Sequence, residues 1–125
     1  MFVLDSGGLT RLARRDRTTA ALLIALRRRG LWPPVVPTVV LVESLTGTPG
    51  DANTNRFLKA CDIRPDISEY EARRAAALRT QARKGSAVDA LVVAIAEPGS
   101  TVLTSDPDDL GTLAGHAHLV SIETV

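Results

Sequence analysis

At 125 residues, the chain is long enough to bury a core without staples, and residues 1–125 read as one domain. A lone cysteine, Cys61, excludes an internal disulfide and any spaced cysteine metal site. No apolar run approaches the roughly 18 residues of a membrane span, and Asp5 cuts short the first apolar stretch, so the expectation is a soluble, cytoplasmic protein.

The net charge of +1 hides an asymmetry. Residues 1–30 carry seven Arg against two Asp, and the remainder carries eight Lys or Arg against twelve Asp or Glu. A basic first third suits a polyanion or an acidic partner; the plainer alternative is that these arginines solvate amphipathic helices.

In chain order, Phe2-Val3-Leu4-Asp5 reads as a buried strand ending on a carboxylate, and Gly7-Gly8 as a turn. Helices follow at about 9–15 and 18–29, the second opening on Thr18 and closing on an Arg-rich turn and Gly30. Val35-Val36-Pro37 reads as a strand, with Thr38 as cap of a helix from about 39 to 46. Gly47 to Gly50 breaks it, a helix spans 51–60, and a strand 61–64. The pattern Ser68-Glu69-Tyr70-Glu71 is a capping box opening a helix to about Arg83. Ser86 caps the next helix, 87–97, and the strand Thr101-Val102-Leu103-Thr104 leads through a polar loop into a short helix. A last strand is read at 118–122, with His116 and His118 as surface or strand residues.

Strands alternating with helices define an α/β domain, a short parallel sheet flanked by helices on both faces, because parallel strands need helical crossovers. In such sheets ligands bind beyond the carboxyl ends of the strands. Four acids therefore stand out. Asp5 ends the first strand, though it could equally serve as a turn or cap. Glu43 interrupts the apolar run Val39-Val40-Leu41-Val42-Glu43-Ser44-Leu45, where a charge is costly unless paired, solvated or metal-bound. Asp89 lies in the first turn of an almost wholly apolar helix, favoured there by the helix dipole or held for chemistry, with Ser86 the more usual cap. Asp106, Asp108 and Asp109 crowd one loop, where three like charges need water, protonation or a cation; capping is the alternative for the last two. An all-oxygen set suits Mg²⁺ or Mn²⁺ better than zinc.

These segments resemble the PIN-domain family, and more narrowly the VapC toxins of toxin–antitoxin pairs. The resemblance is carried by Phe2-Val3-Leu4-Asp5-Ser6, by Val39 to Leu45, by Val88-Asp89-Ala90-Leu91-Val92-Val93-Ala94-Ile95-Ala96, and by Val102-Leu103-Thr104-Ser105-Asp106-Pro107-Asp108-Asp109-Leu110, in family order. It implies a PIN-like domain and an endoribonuclease dependent on Mg²⁺ or Mn²⁺. Asp5, Glu43, Asp89 and Asp106 are the implied catalytic acids, with Asp5, Asp89 and Asp106 on the metal and Asp109, Thr104 and Ser6 in support. It also implies an RNA substrate, an antitoxin partner and a homodimer, with Arg11, Arg14 and Arg15 facing RNA or antitoxin. Gly7-Gly8 departs from the family pattern, which more often has larger residues there. A dehalogenase-like phosphatase would want Asp at position 7, and a phospho-receiver would want a Lys beyond Lys84; neither is present. The remaining alternative is a catalytically silent RNA- or protein-binding module.

Overall fold

The computed structural model describes residues 1–125. Five parallel strands form one sheet: β1 (Phe2–Leu4), β2 (Val35–Pro37), β3 (Asp62–Arg64), β4 (Thr101–Thr104) and β5 (Ser121–Thr124), in spatial order β3-β2-β1-β4-β5. Seven α-helices connect them: α1 (Ser6–Leu12), α2 (Arg17–Arg28), α3 (Thr38–Ser44), α4 (Ala52–Leu58), α5 (Glu69–Ala82), α6 (Ala87–Ala96) and α7 (Asp108–Ala114). This is the α/β class expected from the alternation of elements. No helix is long and apolar enough to cross a membrane.

β1 lies at the centre with Phe2, Val3 and Leu4 fully buried, as a parallel strand covered on both faces must be. Its register against β4 pairs Leu4 with Leu103, so the ends of these strands lie side by side. The edge strands β3 and β5 are short and carry charges, which discourages pairing with another chain.

From β1 the chain steps outward through β2 to β3, then crosses back to β4 and β5. With right-handed crossovers, the reversal sends α1–α4 to one face and α5–α7 to the other. The packing agrees: α1 contacts α2, α3 and α4, whereas α6 contacts α5 and α7. The apolar helix α6 backs β1 and β4, burying Ala90 and Val92 through Ala96.

Several local expectations are corrected. Helix α1 begins at Ser6, not near residue 9, and Gly7-Gly8 belongs to the helix rather than to a turn. A Cβ on Gly8 would collide with the Leu103 carbonyl, so the missing side chain lets α1 lie directly on β4. Helix α2 opens at Arg17 rather than Thr18, and Asp16 caps it by accepting the Thr19 N–H at 2.8 Å. Thr38 is the first residue of α3 rather than its cap, and its hydroxyl donates to the Pro65 carbonyl at 3.2 Å. The last strand starts at Ser121, three residues later than expected; before it, Leu119 takes a left-handed conformation and the His118 N–H donates to Glu97 at 2.7 Å. Both histidines lie outside the strands.

Candidate active site

The strand order reverses between β1 and β4, so the crevice beyond their carboxyl ends is the topological switch point where open α/β sheets bind ligands. Asp5 and Thr104 stand there, at the ends of the two strands. Asp5 is only 7% exposed. Its Oδ1 accepts the Gly8 N–H at 2.7 Å and its Oδ2 accepts the Thr104 hydroxyl at 2.6 Å. Asp5 therefore caps α1 and stands at the crevice at the same time, the two roles that its position in sequence left open.

Burial pushes the Asp5 carboxyl above the usual carboxylate range. The Thr104 hydroxyl and Gly8 N–H pull it back, and the charges of Asp89 and Glu43 push it up again. Asp5, at the end of β1, thus feels the charges of Asp89 on α6 and Glu43 on α3.

Thr104 is fully buried. Its single proton goes to Asp5, while its oxygen accepts the Asp106 N–H at 3.0 Å. That second bond folds the loop after β4 tightly, so that Asp106 follows Thr104 over the strand end. Asp106 itself is exposed. No three acidic, histidine or cysteine side chains stand at the spacing of a common ion: Asp5 feels the charge of Asp89, and Asp106 stands at the rim.

Glu43 takes the solvated alternative. It is exposed, as is Val42 beside it at 82%, because α3 buries only Val40 fully, against α1 and β2. Water solvates the charge, and Glu43 forms one wall of a cleft of about 270 Å³ with Ser6, Gly7, Thr10, Arg11, Arg14 and Ser105. Asp89 shares the capping role that the sequence assigns to Ser86 alone. The two form a reciprocal capping box: the Asp89 N–H donates to Ser86 Oγ at 3.1 Å, and Asp89 Oδ2 accepts the Ser86 N–H at 3.2 Å. One oxygen of Asp89 is thereby committed and the other is available. Asp109 lies in the first turn of α7, its carboxylate 4.0 Å from the Lys84 ammonium and away from the cleft.

The structure sorts the expected arginines. Arg11 and Arg14 line the cleft beside Glu43, and Arg11 is anchored by donating to Thr19 Oγ1 at 2.5 Å. Arg15 lies in a neighbouring hollow of about 480 Å³, which Arg14 also lines. Arg17 and Arg56 join its rim, beside Leu12, Leu23 and Phe57. Arg56 has no signal in sequence, because α4 reaches this hollow only through packing against α1.

No family model and no curated protein matches the chain. Solved structures do. A toxin–antitoxin complex from Klebsiella pneumoniae is similar at 22% identity and TM-score 0.63, over 87% of this chain and 89% of that one. FitAB bound to an IR36 DNA fragment is similar at 18% identity and TM-score 0.67, over 99% and 94%. FitAcB from Neisseria gonorrhoeae is similar at 18% identity and TM-score 0.62, over 97% and 96%. At these identities the likeness establishes the fold over essentially the whole length of the chain.

Proposed function

We propose that this chain is a divalent-metal-dependent endoribonuclease of the PIN-domain, VapC-like kind, acting as the toxin of a toxin–antitoxin pair. The observation that carries the reading is Asp5: a buried carboxylate at the switch point, oriented by two hydrogen bonds and within reach of the charges of Asp89 and Glu43. A buried carboxylate that faces like charges without a counter-ion is costly. The donors available are all oxygens, the chemistry that Mg²⁺ and Mn²⁺ take.

Asp5, Asp89 and Asp106 would hold the ion, Asp106 by a rotation of its exposed side chain. A bound ion supplies an activated water and stabilises charge on the phosphate oxygens. The remaining work belongs to the chain. Thr104 and Gly8 fix the direction of Asp5, Glu43 on the cleft wall takes a proton from the attacking water, and Arg11 and Arg14 hold the RNA phosphate. Ser6 lines the same cleft.

The toxin role is supported by the fold shared with structures described as a toxin–antitoxin complex, FitAB and FitAcB. An antitoxin partner, a homodimer and a cytoplasmic location belong to this proposal. A catalytically silent binding module is favoured by one observation, the absence of three acids already at ligand spacing.

RNA cleavage separates the two. Purified protein is incubated with RNA and Mg²⁺ or Mn²⁺, with and without EDTA, beside Asp5→Asn and Asp89→Asn. Cleavage abolished by EDTA and by both substitutions is expected. Cleavage that persists in all three sinks the nuclease site, and RNA bound but never cut favours the silent module.

A further inference from the structure

We infer a second anion-binding patch at the turn between α5 and α6, formed by Arg79, Arg83 and Lys84, which takes a phosphate of the RNA strand beyond the acid cluster. That the polyanion is RNA rests on the nuclease reading above; the patch itself rests on three observations.

The first is unbalanced charge. Ala76, Arg79, Thr80, Arg83, Lys84 and Gly85 line one shallow hollow of about 460 Å³, with three cations and no acid among them. Helix α5 and its cap carry four arginines. Arg73 pairs with Glu69 and Arg74 with Glu97, each at 2.8 Å, whereas Arg79 and Arg83 pair with nothing. These two are four residues apart, so they share a helix face, where like charges repel. Paired guanidinium forks without a carboxylate are the natural complement of a phosphate.

The second is backbone conformation. Arg83 ends α5 in the left-handed region, at φ 56° and ψ 26°. Glycine is the usual occupant of such a position, and an arginine there is strained. A residue kept in a disfavoured conformation signals a use for its side chain.

The third is position. Gly85 follows Lys84 at once, and a Cβ placed on it would lie 3.7 Å from the Asp89 Cβ. Lys84 reaches Asp109 at 4.0 Å. The turn therefore adjoins Asp89 from the face of the sheet that carries α5 and α6. Arg11 and Arg14 stand beside Glu43 on the face that carries α1. A strand lying across the carboxyl edge of the sheet would meet Arg11 and Arg14, then the acids, then Lys84, Arg83 and Arg79.

Binding of a fluorescent oligouridylate is measured against salt in an Asp5→Asn background, which prevents cleavage. The added changes are Arg79→Gln with Arg83→Gln, or Arg11→Gln with Arg14→Gln. Each phosphate of a single strand that is no longer neutralised lowers the salt slope by about 0.7, so loss of the one phosphate held by the α5 pair is expected to lower it by about that amount. Arg83→Gly, which relieves the left-handed strain, should weaken binding while raising the melting temperature, so weaker binding cannot be ascribed to unfolding. An unchanged slope in the α5 variants beside a reduced one in the α1 variants overturns the patch and leaves the nuclease reading standing. No RNA binding by the parent overturns both. Unchanged RNA binding in the α5 variants, with binding of polyglutamate abolished, overturns the RNA assignment in favour of an acidic protein segment.

Discussion

The Thr104 hydroxyl and the Asp5 carboxylate meet at 2.6 Å, although 99 residues separate them in the chain. Adjacent parallel strands bring their ends together, and the bond ties the end of β4 to the cap of α1. Thr104→Val keeps the volume and removes the donor. Loss of a hydrogen bond to a charged group predicts destabilisation by about 1.5–3 kcal/mol. Misdirection of Asp5 predicts a fall in RNA cleavage of about 100-fold. Thr104→Ser, which keeps the hydroxyl, should restore most of the cleavage; failure of that rescue would place the effect in packing.

Asp5 itself is predicted to trade stability against function. Burial disfavours its charge, so Asp5→Asn should melt at or above the wild-type temperature in EDTA. The Asn oxygen can still accept the Gly8 N–H, and its amide can donate to Thr104. Wild-type protein in Mn²⁺ at about 100 times the dissociation constant should gain about 2.7 kcal/mol. The variant should gain almost nothing, and an equal metal shift in both proteins would remove Asp5 from the ion.

Asp89 combines a cap with a site, and two substitutions separate them. Asp89→Asn keeps an oxygen for the Ser86 N–H and should change stability by less than about 0.5 kcal/mol while abolishing cleavage. Asp89→Ala should abolish cleavage and also cost about 1 kcal/mol through the broken capping box. Chemical denaturation of both variants provides the comparison. Full activity in Asp89→Asn would reduce Asp89 to its cap.

Gly8→Ala tests the close approach of α1 to β4. Helix propensity alone predicts stabilisation, since glycine is the poorer helix former by about 1 kcal/mol. The collision with the Leu103 carbonyl predicts the opposite sign, a loss of about 1–3 kcal/mol from overpacking. Gly7→Ala meets mainly the Ser105 side chain, which can rotate away, and should be nearly neutral. Propensity alone would raise both denaturation midpoints together; the structure predicts a lower one for Gly8→Ala only.

Asp51 predicts part of the acid limb of stability. Its carboxylate accepts the Thr46 N–H at 3.0 Å, the Thr46 hydroxyl at 2.8 Å and the Gly47 N–H at 2.8 Å. Those bonds hold its carboxyl below the usual range, the Thr46 backbone bond first. A lowered folded value contributes stability that is present above the unfolded value near 3.8 and is lost as pH falls through the folded value. Asp51→Asn should be less stable at neutral pH and flatter below pH about 4. Parallel acid-unfolding curves for the two proteins would rule this contribution out.

How much is legible in the sequence depends on the range of each interaction. The three buried strands β1, β2 and β4, the helices and the α/β class are legible, because a buried parallel strand is a continuous apolar run and a helix declares its caps locally. The capping box of Ser68 with Glu71 is legible for that reason. So are Asp5 as a strand-end carboxylate and Asp89 as an acid in an apolar helix.

What tertiary structure decided was which residues meet. The pairing of Asp5 with Thr104 follows from the β1–β4 register. The place of Gly8 inside a helix follows from contact with β4, where local signals read a turn. Glu43 lies in an apolar stretch yet reaches solvent, because α3 turns only Val40 fully into the core. The arginines of α5 look alike along the chain; only the fold gives Arg74 its carboxylate on Glu97 and leaves Arg79 and Arg83 without one. Local propensity and capping act over a few residues and are written in the sequence itself. Pairing of charges and close backbone approach act across the sheet, and they take a sign only once the strands are in order.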